Sequence, residues 1–151
     1  MKRFVLSLMT AALLCLSMTC LAEAKPDAAT IDRFTDVWVD DAVAVEIWYE
    51  DGIFHCRAVL GDGSDTSTVV RYETCRYDAE ADALECAGGT RAIEHYDEAV
   101  QALISDVQAE DLSATLAFDA QGRMIWDDCE GIARDFTLLR LSDAEELEYR
   151  A

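Results

Sequence analysis

Basic residues are scarce in this sequence. Its 151 residues include 12 Lys and Arg against 31 Asp and Glu, which gives a formal net charge of −19. An excess of negative charge this large repels phosphate backbones and anionic lipid surfaces. We therefore expect neither a nucleic acid nor a membrane as partner of the mature chain. The acidic surplus is typical of a protein kept soluble outside the cell.

The sequence also lacks the signatures of common enzymes. No G-x-S-x-G elbow, H-E-x-x-H, P-loop or dinucleotide fingerprint occurs. The only two histidines, His55 and His95, have no Ser, Cys or carboxylate at a spacing that implies a triad or a metal cluster. The C-x-x-C spacing of redox pairs and the finger-type spacing of zinc ligands are both absent. The sequence predicts a protein that is not an enzyme, with no catalytic residue, no metal site and no cofactor.

The one long apolar run lies at the N-terminus. Lys2 and Arg3 precede an apolar core from Phe4 to Leu21, and Ala22-Glu23-Ala24 supplies the small residues of a cleavage site. This pattern predicts a secretory signal peptide over residues 1–24 rather than a membrane anchor. We expect the mature protein in the periplasm or outside the cell.

The mature chain would begin at Lys25. Residues 25–30 show no pattern and contain the only proline, Pro26, so we expect a flexible tail there. No internal repeat or second domain is visible in the rest. The sequence predicts one domain over residues 31–151, and a monomer.

The number of cysteines indicates disulfides. Four remain after the signal: Cys56, Cys75, Cys86 and Cys129. An even number in a small exported domain is typical of two bridges. The stretch from Arg71 to Gly89 predicts two strands around an acidic turn, which places Cys75 opposite Cys86. Directly opposed residues of an antiparallel pair can form such a bridge, worth roughly 3 kcal/mol. We predict Cys75–Cys86 and, by remainder, Cys56–Cys129.

Alternation of apolar and polar residues dominates the rest of the chain. It runs through Ala42–Tyr49 and Ile53–Leu60, which flank the turn Glu50-Asp51-Gly52. It returns in Ser113–Phe118 and in a last apolar run that begins at Phe136. Short alternating strands with a turn between each are typical of an antiparallel meander. We predict an all-β fold, an up-and-down meander that closes into a small barrel.

One segment departs from this alternation. Between Asp97 and Gln108 the apolar residues Ala99, Val100, Leu103, Ile104 and Val107 recur at helical spacing. Asp97 is a good N-cap residue. The pattern predicts a short helix near 98–106, although a strand-and-loop interpretation also survives.

Several stretches together resemble the small lipocalin-like (calycin-type) domains of secreted bacterial proteins. They are Asp36-Val37-Trp38, the hairpin YETCRYDAEADALECAGG, the hairpin SATLAFDAQGRMIWDD and a final apolar strand that ends in Arg140. In calycin-type barrels an arginine from the last strand covers a tryptophan of the first, and the resemblance gives these roles to Arg140 and Trp38. The cation–π contact would contribute about 1 kcal/mol to barrel closure. Lipocalins proper carry Gly two residues before that Trp, where this chain has Asp36.

Two functions are compatible with such a barrel. The first is a non-catalytic binding module for a small apolar or amphipathic ligand, in a cavity walled by Trp48, Phe54, Tyr72, Leu116 and Trp126. The second is a closed-core interaction or inhibitor module that uses its loops against a protein partner. A cavity of about 300 Å³ or more favours the ligand. A filled interior with a contiguous exposed apolar patch favours the protein partner.

Overall fold

The structure is a computed structural model that describes residues 25–61, 66–128 and 136–143. The signal peptide predicted over residues 1–24 lies outside this range, and so does Cys129. The regular elements begin with one helix, α1 (Ala28–Phe34). Eight strands follow: β1 (Asp36–Asp40), β2 (Val43–Glu50), β3 (Ile53–Gly61), β4 (Thr66–Asp78), β5 (Ala83–Asp97), β6 (Ala102–Phe118), β7 (Met124–Asp128) and β8 (Phe136–Arg140).

The strands form a closed antiparallel barrel. Each strand pairs with the next in the chain, and β8 pairs with β1, with Trp38 opposite Arg140. The predicted all-β meander is therefore confirmed. The turn between β2 and β3 uses Asp51 and Gly52, both at positive φ. Asp-Gly suits such a turn because both residues tolerate the left-handed conformation.

The β4–β5 hairpin forms as the sequence predicts. Cys75 pairs directly with Cys86, and a disulfide joins them with their Cα atoms 4.1 Å apart. The acidic turn is held by Asp78, whose Oδ1 accepts hydrogen bonds from the amides of Glu80 at 2.8 Å and Ala81 at 3.2 Å. This disulfide prediction is confirmed.

The helix predicted near 98–106 is wrong. Residues 98–100 form a turn, Gln101 has φ 51°, and β6 begins at Ala102. Asp97 does cap a backbone segment, since its Oδ1 accepts from the amide of Ala99 at 2.8 Å, but the segment is this turn. Leu103 and Val107 are also spaced for one face of a strand. Pairing with β5 satisfies the backbone groups of this segment that face β5, and it overrides the helical spacing.

The prediction of a flexible tail over residues 25–30 is also wrong for residues 28–30, which are helical. Ala28 begins α1, and Asp27 is its N-cap, with Oδ1 accepting from the Thr30 amide at 2.7 Å. This bond satisfies one of the free amide donors of the first helical turn. The signal was present in the sequence as a capping Asp followed by apolar residues three apart, Ile31 and Phe34.

The barrel interior is filled by its own side chains. The largest fully buried ones include Trp126, Leu84, Leu116, Met124 and Leu138. The rings of Trp126 and Phe136 stack at 5.3 Å. Small barrels are often filled in this way, because facing strands lie close enough for their side chains to interdigitate.

Helix α1 closes one end of the barrel. Its buried Phe34 contacts the rings of Phe54, Tyr77 and Phe118, with centroid distances of 5.9, 5.9 and 4.9 Å. These three residues lie beside the β2–β3, β4–β5 and β6–β7 turns, which share one end of an up-and-down meander. The β5–β6 turn lies at the opposite end.

The β5–β6 hairpin has the two longest of the described strands, and its register is irregular partway along them. The register shifts between Cys86 and Gly89, and twice more before Ala92. Asp111, on the facing strand, has φ 58°. Such bulges bend a strand and increase its twist. We call the part beyond these bends the β5–β6 ribbon, defined as residues 90–97 and 102–112 with their connecting turn.

Candidate functional site

Four of the five residues predicted to wall a ligand cavity lie in the packed core. Phe54, Tyr72, Leu116 and Trp126 are all buried and belong to one apolar cluster. The prediction is wrong for Trp48, which is 38% exposed. Its ring stacks on His55 on the outer surface, with the ring centroids 5.1 Å apart. Alternation identifies the two faces of a strand but not which of them turns inward.

A small cleft opens at the end of the barrel that α1 covers. It has a volume of about 250 Å³, and its lining includes Tyr49, Phe54, Cys75 and Tyr77. Ligand pockets for drug-sized molecules measure roughly 300–1,000 Å³. This cleft is below that range and lies at the rim rather than inside the barrel.

A wider depression of about 600 Å³ lies beside α1, with Arg33 and Arg140 in its lining. Both arginines already have partners. Arg33 donates to the carboxylate of Asp82, with Nη1 at 2.9 Å from Oδ2. Arg140 donates to the backbone carbonyls of Asp32 at 2.6 Å and Arg33 at 2.9 Å. Because these cations are engaged within the chain, the depression is poorly suited to an anionic ligand.

Arg140 joins three elements at the barrel seam. Its guanidinium carbon lies 5.1 Å from the centroid of the Trp38 ring, the contact expected from the resemblance. Its hydrogen bonds to the α1 carbonyls satisfy acceptors that a helix C-terminus leaves free. The indole Nε1 of Trp38 donates to the carbonyl of Phe34 at 2.9 Å. The pair therefore fastens α1, β1 and β8 together.

The titratable groups with shifted pKa beside α1 form an ion-pair network on the surface. Hydrogen bonds from Arg33 and then Tyr77 lower the pKa of Asp82. The same contact with Asp82 raises the pKa of Tyr77, whose hydroxyl donates to Oδ1 at 2.8 Å. These groups are partly exposed, and the charges of Arg33 and Asp82 already neutralise each other, which is the behaviour of a structural contact.

The third cysteine of the described residues lies against the disulfide. Cys56 on β3 is a free thiol with 2% of its surface exposed. The Sγ atoms of Cys56, Cys75 and Cys86 all lie within 4.8 Å of one another. Burial raises the pKa of the Cys56 thiol to about 12. Its predicted partner, Cys129, lies outside the described residues, so the structure contains one of the two predicted bridges and the second stays a prediction.

Among the described residues, the large apolar side chains with the highest exposed fractions lie on the β5–β6 ribbon. Tyr96, Leu103 and Val107 are between 56 and 61% exposed. Tyr96 pairs directly with Leu103, and Val107 lies four residues further along β6, an even offset, so the three share one face of the ribbon. Sequence reasoning missed this surface, because a helical interpretation of the same apolar residues hides their common strand face.

The ribbon also presents an open backbone edge. β6 pairs with β7 only from Ala114 to Phe118. Within residues 25–61, 66–128 and 136–143, no strand pairs with Ala102–Leu112 on the side away from β5. In the part of the chain that the structure describes, the amide and carbonyl groups along that edge face no other strand.

No helix in the described part of the chain is both long enough and apolar enough to cross a membrane. Comparisons of the chain with protein-family models, with curated proteins and with solved structures found no match.

Proposed function

We propose that this chain is an exported, non-catalytic module that binds a partner protein through its β5–β6 ribbon. The observation that carries the proposal is the edge of β6 at Ala102–Leu112, which is unpaired within the described residues and carries Leu103 and Val107 at the surface. Exposed sheet edges of this kind accept a further strand from a partner. Backbone hydrogen bonds then supply affinity, and alternate side chains supply specificity.

The packing of the interior supports a protein partner over a small ligand. Four of the five residues expected to wall a cavity belong to one packed apolar cluster, and the cleft at the barrel rim is about 250 Å³. A closed core combined with a grouped apolar surface favours an interaction module. The apolar residues exposed on the ribbon supply such a surface.

The charges of β6 indicate the chemistry of the partner segment. Asp106, Glu110 and Asp111 are exposed on the strand that carries Leu103 and Val107. The chain as a whole has a net charge of −19, which disfavours pairing with a second copy of itself. The occupant we propose is an extended segment of another protein in which basic and apolar side chains alternate.

We also propose that the chain is exported and that its barrel is of the calycin type. The predicted signal over residues 1–24 and the Cys75–Cys86 disulfide support an oxidising extracytoplasmic location. The closed eight-stranded meander and the Trp38–Arg140 contact support a lipocalin-like barrel.

A peptide of alternating valine and lysine tests the ribbon as a docking surface. Isothermal titration calorimetry should show that it binds the mature protein, while a valine–glutamate peptide of equal length does not bind. The double substitution Leu103→Ser and Val107→Ser should weaken binding about five- to thirtyfold, since two apolar side chains contribute roughly 1–2 kcal/mol together.

The double variant keeps every charge, so it separates strand addition from general attraction between opposite charges. The matched control is Ile53→Ser, at an exposed apolar site on β3 away from the ribbon, and it should bind like the wild type. Unchanged binding by the double variant would contradict the proposal, and so would binding of the acidic peptide.

A further inference from the structure

Three buried sulfur atoms lie together in the barrel, and within the described residues, which leave out Cys129, only two of them are bonded. Cys75 and Cys86 form the disulfide, and Cys56 keeps its thiol. All three Sγ atoms lie within 4.8 Å of one another. A thiol held beside a disulfide can exchange with it through attack of its thiolate on one of the two sulfurs.

The order of the strands decides which sulfur Cys56 can capture. Cys56 is on β3, Cys75 on the adjacent β4, and Cys86 on β5 beyond it. Two strand spacings separate β3 from β5 by roughly 9–10 Å. A disulfide needs its two Cα atoms within about 7 Å. A bond from Cys56 to Cys86 is therefore excluded unless the backbone rearranges.

A bond from Cys56 to Cys75 needs only a local adjustment. Phe54 pairs directly with Cys75, and Cys56, two residues further along β3, is a diagonal neighbour of Cys75, although the register shift gives Cys56 Tyr72 as its own direct partner. Diagonal neighbours of this kind have Cα atoms roughly 7–8 Å apart. The β3–β4 register is irregular between Phe54 and Cys56. The backbone there can adjust more easily than a regular ladder, which would let the Cα atoms of Cys56 and Cys75 come closer.

We propose that Cys56 and Cys86 compete for Cys75, so that the barrel exists as two disulfide isomers. The Cys56 thiol loses its proton and its sulfur bonds to the Cys75 sulfur. The Cys75–Cys86 bond breaks, and Cys86 leaves as a thiolate that takes up a proton. No net oxidation or reduction occurs. In the first isomer the bridge joins β4 to β5, and in the second it joins β3 to β4.

Exchange is the reaction of this cluster that requires no other reagent. The three sulfurs could bind a thiophilic ion only after a dithiol had reduced the disulfide. Burial of Cys56 keeps its thiolate scarce at neutral pH, so the isomers interconvert slowly enough to be trapped and counted. The proposal does not depend on the function of the ribbon.

Two serine variants test the predicted asymmetry, both prepared with Cys129→Ser so that Cys129 cannot take part. Cys86→Ser leaves Cys56 and Cys75, and we expect air oxidation to join them. Cys75→Ser leaves Cys56 and Cys86, and we expect both to stay reduced. Each variant loses the same β4–β5 bridge, so each controls for the other's stability. The readouts are alkylation of free thiols after unfolding and mass spectrometry of linked peptides.

The proposal is overturned if Cys86→Ser keeps both thiols free, or if both variants form a bridge equally well. A measurement on the wild-type protein guards against a misfolded variant. Native protein incubated at mildly alkaline pH, quenched in acid and digested with pepsin should yield a Cys56–Cys75-linked peptide beside the Cys75–Cys86 one. Its absence after prolonged incubation would also overturn the proposal.

Discussion

Removal of the Arg140 side chain is the sharpest test of how this barrel closes. Arg140→Ala deletes the guanidinium that covers Trp38 at 5.1 Å and donates to the carbonyls of Asp32 and Arg33. Its ion pair with Asp36, at 3.5 Å, is lost as well. No strand residue is removed from the β1–β8 pairing, so the predicted effect comes from the side chain alone.

The magnitude follows from those contacts. A cation–π contact near the surface contributes about 0.5–1 kcal/mol. Each hydrogen bond from a charged donor contributes about 1–2 kcal/mol at a partly buried site. The Asp36 pair contributes little, because both side chains are partly exposed and the distance is long. We expect Arg140→Ala to lower the free energy of unfolding by about 2.5–5 kcal/mol.

Urea unfolding followed by tryptophan fluorescence measures this change. The matched control is Arg123→Ala, which removes the same charge from an exposed pair with Asp119 in the β6–β7 turn and should cost under about 1 kcal/mol. Arg140→Lys should fall between the two, since lysine keeps the charge but cannot bridge two carbonyls and a ring. If Arg140→Ala and Arg123→Ala lowered the free energy of unfolding equally, the contacts of Arg140 with α1 and Trp38 would not be what stabilises the closure of the barrel.

Three further predictions concern packing and pH. Gly89→Ala should cost about 1–3 kcal/mol in urea unfolding, since a Cβ there would lie 2.8 Å from neighbouring side chains, whereas Gly61→Ala, with open space around it, should change stability little. Trp126→Ala should cost about 3–5 kcal/mol because the side chain is fully buried. Carbon-detected NMR should show Asp82 titrating below its ordinary pKa of 3.8, and in Arg33→Met that pKa should rise.

The sign of the Asp82 effect on stability follows from the direction of its shift. Its pKa is lower in the folded state, so the unfolded chain binds the proton more readily. Asp82 therefore stabilises the fold above the unfolded pKa, and this contribution is lost as the pH falls through the folded pKa. An Asp82→Asn variant that loses stability in acid as steeply as the wild type would show that another group is responsible. For the packing pair, equal stability of Gly89→Ala and Gly61→Ala would contradict the close approach.

Short-range patterns determined the features that depend on neighbours in the chain. Asp51-Gly52 predicts its turn because only a few residue types accept positive φ. The pairing of Cys75 with Cys86 follows from counting outward from one acidic turn, because a tight turn fixes the register of its two strands. The all-β class follows from alternation repeated along most of the chain.

Local patterns failed where two structures satisfy the same spacing. Leu103 and Val107 fit one face of a helix and one face of a strand equally well. Pairing with β5 decides between helix and strand. The backbone amide and carbonyl groups of β5 meet this segment only after the chain has folded back. The short helix at Ala28 was missed for the related reason that its stability comes mainly from burying Phe34 in the barrel, rather than from its seven residues.

The sequence by itself determined the class of fold, the hairpin disulfide and, through resemblance, the Trp38–Arg140 seam. Only the tertiary structure decided that Trp48 faces outward, that the interior is filled, and that Cys56 lies against the disulfide. The physical reason is that alternation divides each strand into two faces without saying which of them turns inward. Closure of the barrel decides this. Distances between strands that are not joined by a turn are likewise set only when the whole sheet curls and closes.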